Sequence, residues 1–534
     1  MILRLQQTRS IAPLLRASIF VFSCGGSSCF GGSVGGAPAA NLMSPNPMVV
    51  FSPPLTTPAP PSATVPTGVN FPTGAGVMVV QSESGKSLYV NPTGSDAGGG
   101  TATDPFATLN HALGVAQAGD TIIIDKGDYA WPGGVSLSKS GTADNWLVVR
   151  AATDANGQMQ PVTIHGPGLS PAATDCIDVN AAYVDIEGIG CDGFPHVGIA
   201  VTSGHHIRLH GNRVANVGST GIANYYVPSM GSMAYQVEIS NNTVANTNLL
   251  WANSSAWGWG QGITGWGNQV TVANNTVSFT NGEGIGAAGI GAWITGNIVL
   301  NSCTVGVYIE TASGVLMEKN FIRNDGAGQA TFFGTCVRQA SNGNQPLYGV
   351  GIQTASEHNG TWYTGVDYAR LTNVVIRNNI VSNMRIAFKY ATYNLGDPLH
   401  SWRVSNNTFV GGTASLLVVP TSPTTPNTDV VFANNIFLWP GATNPRAVSV
   451  GGSGLTFLNN LWSGTAAAGA ASATDVNADP KLNNAASDQP VDYSPKSGSP
   501  ASGAASAAYL PADDYFGNSR AAKPPGDIGA ILVR

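Results

Sequence analysis

The sequence predicts an all-β solenoid, a chain wound into short stacked coils, and three observations predict it. Nine asparagines, Asn212, Asn242, Asn275, Asn297, Asn320, Asn379, Asn407, Asn435 and Asn460, recur behind similar runs with a shortest spacing of 22 residues. Each follows an apolar–polar alternation, as in "VEISNN", "VTVANN", "VVIRNN", "WRVSNN" and "VVFANN", which is the period of a strand. Charged residues are 10% of the 534-residue chain while glycine contributes 67 residues, a composition unlike that of a helical enzyme. A unit of about 22 residues cannot bury its own apolar face, so the units must stack, each strand pairing with its counterpart in the next coil.

Each unit holds three strands. A first short run ("GIAV" at 198, "GITG" at 262, "VGVYIE" at 305, "GVGIQ" at 349, "IAFKY" at 386) precedes the alternating second strand, and a third follows the asparagine. Asparagine suits the corner between second and third strands because it tolerates a left-handed backbone and its amide can bond to the asparagines above and below. By themselves these ladders specify architecture and no chemistry.

Ahead of the coils, residues 1–24 carry Arg4, Arg9 and Arg16 before a short apolar run from Ala17 to Phe22, which reads as an export signal and is too short to span a bilayer. "VFSC" partly matches a bacterial lipidation box with Cys24 as the lipid-bearing residue, so lipid anchoring and plain cleavage both stay open, and the protein is expected outside the cytoplasm: extracellular, periplasmic or an outer-membrane lipoprotein. Residues 25–86 are rich in Gly, Pro, Ser and Thr and read as a linker. Residues 87–150 form an entry segment and first coil, 151–465 the coils with their insertions, and 466–534 a terminal capping segment. Of six cysteines, Cys176 with Cys191 and Cys303 with Cys336 would each close a short loop, although sequence alone does not fix connectivity.

These features resemble the right-handed parallel β-helix proteins of the pectate-lyase-like group. "LYVNPTGSDAGGGTATDPFATLNHALGVAQAGDTIIIDKGDY" is similar to the group's entry segment, in which an amphipathic helix ("FATLNHALGVAQ") covers the open end of the core. "DYSPKSGSPASGAAS" and "DYFGNSRAAKPPGDIGAI" are similar to the end segment of bacterial members. The resemblance implies a right-handed single-stranded β-helix with an N-terminal capping helix. It implies carbohydrate chemistry only broadly, since this fold hosts lyases, hydrolases, epimerases and adhesins.

Large insertions at 224–236, 246–261 and 324–373 flank the first strand of their units, so the face carried by that strand should be walled by loops. The loops hold Trp259, Trp362 and Tyr363 among other aromatics, rings that suit the C–H faces of sugars. On the first strands, alternation predicts Tyr308, Glu310, Gln353 and Lys389 pointing outward, with Trp266 two coils before Glu310. Val307, Ile309, Ile386 and Phe388 should point inward. Glu310, Gln353 and Lys389 are expected in one column, the two charges roughly 10 Å apart at the strand spacing.

Residues 301–403 hold eight of the 23 Lys and Arg against six acids, so an acidic polymer meets least repulsion there. In lyases and epimerases acting on uronates, a base removes the proton α to the carboxylate while cations stabilise the resulting charge. Lys389 is the expected catalytic group, with Glu310, Arg385 and His400 beside it; Trp259, Trp266, Tyr308, Gln353, Trp362, Tyr363 and Arg370 are expected to bind substrate. "YNLGDPLHS" shares Asp397, Pro398 and His400 with the signature of alginate C5-epimerases but inserts Leu399 and lacks the second aspartate. Cofactor need is undetermined; Ca2+ could be held by the early acidic set Asp175, Asp178, Asp185, Glu187 and Asp192, the first three foremost.

The leading expectation is an exported polysaccharide lyase or epimerase acting on an acidic polysaccharide. Two alternatives stand: a non-catalytic adhesin or polysaccharide-binding scaffold, and a glycoside hydrolase pairing Glu310 with Asp325 or Asp367. The net charge of −6 argues against a nucleic-acid partner. Membrane contact is expected only through an N-terminal lipid, and a monomer is expected.

Overall fold

The computed structural model describes residues 85–534 apart from 171–172, 228–231, 251–259, 326–336, 341–342, 347–348, 357–370, 392–397, 420–425, 440–447, 465, 467–468 and 523. The alternating runs pair in parallel from coil to coil and make three faces. The first runs through Ile177–Ile199–Ile222–Ile263–Ile285–Val307–Ile352–Phe388–Leu417–Val448. The second carries the alternating strands, as in Ile207–Val237–Val270 and Val404–Phe432–Phe457. The third follows the asparagine corner, as in Cys191–Val214–Val244–Val277–Val299–Ile322–Val381–Phe409–Phe437–Trp462. Inward residues of all three faces form one continuous apolar core along the solenoid.

The one α-helix among the described residues, α1 (Leu109–Val115), is shorter than the amphipathic run suggested. Thr108 caps it by accepting the His111 N–H (3.1 Å), and Leu109, Ala112 and Leu113 join the core with Leu88, Val90 and Ile122.

The asparagine corner divides its labour between neighbours. In each pair the second asparagine is the ladder: the N–H of Asn212 donates to Oδ1 of Asn242 (2.9 Å), Asn242 to Asn275 (2.9 Å), Asn275 to Asn297 (3.0 Å), and so on to Asn460, which donates to Asp475 (2.9 Å). All nine ladder asparagines are buried. The left-handed backbone expected of them belongs instead to the preceding residue: Asn241, Asn274, Asn378, Asn406, Asn434 and Asn459 lie at φ 50–57°, with Lys319 (φ 56°), Gly211 (φ 64°) and Gly296 (φ 66°) filling the same place.

At the corner between third and first faces a glycine column allows close packing. A Cβ at Gly198, Gly221, Gly262, Gly284, Gly306 or Gly351 would stand 2.2–2.4 Å from the side chain of the third-face Val or Ile opposite. In the coil before Gly198 the same two places hold Cys176 and Cys191, joined by a disulfide. A covalent bond there replaces a van der Waals contact. Cys303 is also disulfide-bonded; Cys336, its expected partner, lies outside the described residues.

Residues 482–533 run back along the outside of the third face. Their Leu482, Tyr493, Ala501, Ala505, Ile528, Ala530, Ile531 and Val533 cover Phe321, Ile380, Val410, Ile436 and Leu461. Buried Arg520 ties this strap together, donating to the carbonyls of Asp513, Asp527, Gly529 and Ala530 and to Oδ1 of Asn378.

Candidate functional site

The described insertions leave the solenoid at the two margins of the first face, between it and the second or third; the corner between second and third stays tight. The 224–236 and 324–373 insertions each contain a two-stranded antiparallel hairpin, Tyr226–Val227 with Ser232–Met233 and Val337–Ala340 with Gly343–Pro346. The first face is therefore the one flanked by loops.

Its outer surface has a register that differs from the expected one. One column runs Ala223–Thr264–Gly286–Tyr308–Gln353–Lys389–Val418. Glu310 is not in it: it pairs with Ala355, which pairs with Ala391, two residues farther along the strand. Glu310 and Lys389 are thus two coils and two residues apart, about 12 Å between Cα atoms from strand and residue spacings. Trp266 pairs with Ala288, which falls at a register step between its coil and that of Glu310. Ile386, expected inside, packs outside with Val305, Tyr308, Val350, Ala355 and Ala391. At the corner two successive residues, Ala387 and Phe388, both face the core, so the alternation shifts by one place there.

Tyr308, Glu310 and Gln353 are buried rather than openly displayed. Lys389 is intermediate in exposure; burial and then the charge of Arg385 hold its ammonium below the usual lysine range. Upstream on the same surface lies a buried polar relay that the sequence reading missed. Thr264 Oγ1 donates to Gln261 Oε1 (2.6 Å) and Gln261 Nε2 donates to Glu283 Oε2 (2.6 Å). Gln261 and Glu283 are directly paired, and their 22-residue separation was the available signal.

His400 falls elsewhere. It opens a second-face strand, paired with Thr372 and Thr428, and does not share the Lys389 column. Asp325 accepts from Asn301 Nδ2 (3.0 Å) and Arg323 Nε (3.3 Å) at the end of a third-face strand, so its carboxylate is engaged away from the first-face surface that carries Glu310. Trp259, Trp362, Tyr363, Arg370, Asp367 and Asp397 lie outside the described residues.

Of the expected calcium ligands, Asp185 and Glu187 come together, while Asp175 and Asp178 lie elsewhere. Asp175 accepts from His196 Nδ1 (2.6 Å) and the Val197 N–H (2.9 Å), and Asp178 accepts from Thr202 Oγ1 (2.9 Å), both at the first face. Asp185 is on the second face, where alternation turns it outward with Glu187 and His210. That trio has metal-ligand composition, with ligand atoms within 4.8 Å of one another. The imidazole lies within ion-pair distance of both acids: Nε2 is 3.1 Å from Asp185 Oδ1 and Nδ1 is 3.7 Å from Glu187 Oε1. Arg208 stands 3.8 Å from Asp185 and 3.7 Å from Glu238. Burial raises the Glu187 carboxyl; His210 lowers it, Asp185 raises it, and Arg208 and Arg150 lower it. The cluster thus mixes acids, an imidazole and a guanidinium, and Asp185 Oδ1 is buried in it without a hydrogen bond.

Residues 88–297 match the family described as Pel9A-like, right handed beta helix region. Two curated relatives are similar over shorter stretches: the uncharacterized protein YwoF of Bacillus subtilis, 28% identical over 148 residues (26% of this chain and 30% of that protein), and pectate lyase PEL9 of Emericella nidulans, 39% identical over 64 residues (12% and 16%). The chain thus spans less than a third of the length of either. A solved structure, the complex of XylC with xylose, shares the architecture with a TM-score of 0.55 at 13% identity, over 84% of this chain and 98% of that one. That likeness concerns the fold alone.

Proposed function

We propose that this chain, a right-handed parallel β-helix protein whose residues 88–297 are of the Pel9A-like type, is a carbohydrate-active enzyme, a lyase or C5-epimerase acting on an acidic polysaccharide. The similarity of a segment to pectate lyase PEL9 supports the substrate class. One observation carries the reaction type: Lys389 is an outward, half-buried amine on the loop-flanked face, with its pKa lowered by burial and by Arg385.

A lowered pKa enlarges the neutral fraction of the amine, the form that can accept a proton. Positioned over a uronate ring, Lys389 removes the proton α to the carboxylate. Arg385, whose charge Lys389 feels, stabilises the carbanionic oxygens that develop. In elimination the electron pair closes a C4–C5 double bond and expels the glycosidic oxygen, which takes a proton from solvent; in epimerisation the proton returns to the opposite face. Gln353 and Tyr308, successive in the Lys389 column, line the ring's approach. Glu310, offset from that column, is assigned no proton transfer, and the scheme places no step on a metal. The leader and the Cys24 box support export, with or without a lipid.

The test is turnover of polygalacturonate and of alginate, followed by the absorbance of the unsaturated product and, for epimerisation, by NMR of the C5 proton. Lys389→Ala should keep the fold and lower turnover ~100-fold or more, the scale of one positioned acid–base group. Glu310→Gln should lose much less; near-complete loss there with Lys389→Ala unaffected would favour hydrolysis. Polymer binding without turnover in the wild type would replace the enzyme by a binding scaffold.

A further inference from the structure

We infer that the lip between the first and second faces carries an outlying saccharide subsite, formed by Tyr235, Asn268, Gln269 and Ile290; it rests on the proposal that the first face takes an acidic polysaccharide. These four residues line one open depression. Among the described residues, Tyr235 (37% exposed) and Ile290 (42%) are two of the few large apolar side chains left in solvent.

A ladder of rings leads up to this place and stops there. Tyr183 stacks on His206 (centroids 4.7 Å, 25° between planes) and meets His205 edge-on at 5.0 Å; His205 stacks on Tyr235 (4.9 Å, 25°). In the register Tyr235 pairs with His205 on one side and with Asn268 on the other. One face of the Tyr235 ring is therefore covered by imidazole, and the coil on its other side offers an amide where the next ring would stand. A pyranose placed there continues the stack with its C–H face on Tyr235.

The rest of the depression fits that occupant. Ile290 supplies an apolar flank, and its N–H donates to Asn268 Oδ1 (3.1 Å), which fixes the amide and leaves its Nδ2 as the donor for sugar oxygens. None of the four residues is charged, so recognition here is of ring faces and hydroxyls. Continuity comes from the chain itself: Trp266, on the outer surface of the first face, is followed by Gly267 (φ 130°) and then Asn268. A polymer running past Trp266 crosses the lip onto Tyr235.

Affinity electrophoresis through polygalacturonate and alginate gels, at low and high ionic strength, tests this. Tyr235→Ala should weaken retention by the polymer that binds about 3–10-fold, the scale of one aromatic stacking contact, and by a similar factor at both ionic strengths. Ile290→Ser should act in the same direction. Lys389→Ala should lose affinity mainly at low salt, where a charged group counts most. Wild-type retention that survives both lip substitutions overturns the subsite and leaves the groove standing. A deficit confined to low salt also overturns it, because the four residues carry no charge. Wild type retained by neither polymer overturns the groove and the subsite together.

Discussion

Asn241 and Asn242 are adjacent, identical in sequence and opposite in duty, which makes them a sharp test of the corner. Asn242 is 1% exposed. Its Oδ1 accepts the Asn212 N–H (2.9 Å) and its Nδ2 donates to the Leu209 carbonyl (2.9 Å) and to Asn275 Oδ1 (2.9 Å). Asn242→Leu strands one buried backbone group, the Asn212 N–H, and takes a second donor from the Leu209 carbonyl, which stays in the ladder between coils; Asn275 Oδ1 keeps the Asn242 N–H. At ~1–3 kcal/mol for the orphaned N–H and ~0.5–1.5 kcal/mol for the lost second bond, the loss is about 2–4 kcal/mol. Asn241 is exposed and contributes a left-handed backbone at φ 56°. Asn241→Gly should therefore change little, and Asn241→Val should cost about 1–2 kcal/mol in backbone strain. Because a stacked repeat can open locally, hydrogen exchange is the decisive assay alongside denaturant melts. The Asn212 amide should lose protection in Asn242→Leu and keep it in Asn241→Gly. If Asn242→Leu proves no more damaging than Asn241→Gly, with the Asn212 amide still protected, the ladder does not hold the corner.

Other consequences are equally direct. Lys389 has a folded-state pKa below its ordinary value of 10.5, so between those two values the unfolded chain holds more protons and stability rises with pH; below the window the penalty is complete. Lys389→Met should raise the unfolding midpoint at neutral pH and flatten that slope, as melts across the alkaline range would show. Cys176→Gly with Cys191→Val gives this coil the Gly–Val packing of the next four: a disulfide is worth ~2–4 kcal/mol and a buried valine returns ~1.5–3, so the double variant should melt close to wild type. Cys191→Val alone should melt lower, since a Cβ opposite such a valine is too close. Arg520→Met leaves four carbonyls and an amide oxygen without their buried cationic donor and should cost about 3–5 kcal/mol, with hydrogen exchange rising first in residues 513–530.

Repetition made the coils legible. Nine corners written in one pattern fix the strand period, its phase and the stacking, because an error in one coil is outvoted by the others. What repetition could not reveal is what changes from coil to coil. The phase shift at Ala387–Phe388 moved Ile386 outside, the register step after Ala287 displaced the earlier coils relative to Glu310, and the long insertion before Val350 concealed how Glu310 aligns with the later strands. Within each asparagine pair, the division between backbone conformation and ladder was invisible because either residue can serve either role. The lip residues went unnoticed for another reason. Tyr235 sits inside an insertion, and its relation to His205 and Asn268 exists only across coils.

The three outer surfaces show why the first face is the place to look for chemistry. On the third face one column reads Arg213, Thr243, Thr276, Ile298, Phe321, Ile380, Thr408, Ile436, Leu461. It passes from exposed and polar to wholly buried where the strap arrives, so its apolar half is accounted for by the chain's own C-terminal segment. On the second face the early outward positions hold Asp185, Glu187, Arg208, His210 and Glu238 in mutual ion pairs, and farther on Arg377 pairs with Glu318 (2.8 Å). The charges there are engaged with one another. The first face differs from both: loops flank it, a relay of Thr264, Gln261 and Glu283 is buried on it, and it carries Lys389, whose pKa is lowered first by burial and then by the like charge of Arg385. Two cations held together at a protein surface raise each other's energy, and an anion placed between them relieves it. A uronate carboxylate is such an anion, and the same contact would return the Lys389 pKa upward on binding. Binding of a non-cleavable uronate oligomer should therefore take up protons at alkaline pH. Calorimetry in buffers of different ionisation enthalpy measures that uptake, and binding without it would remove Lys389 from the site.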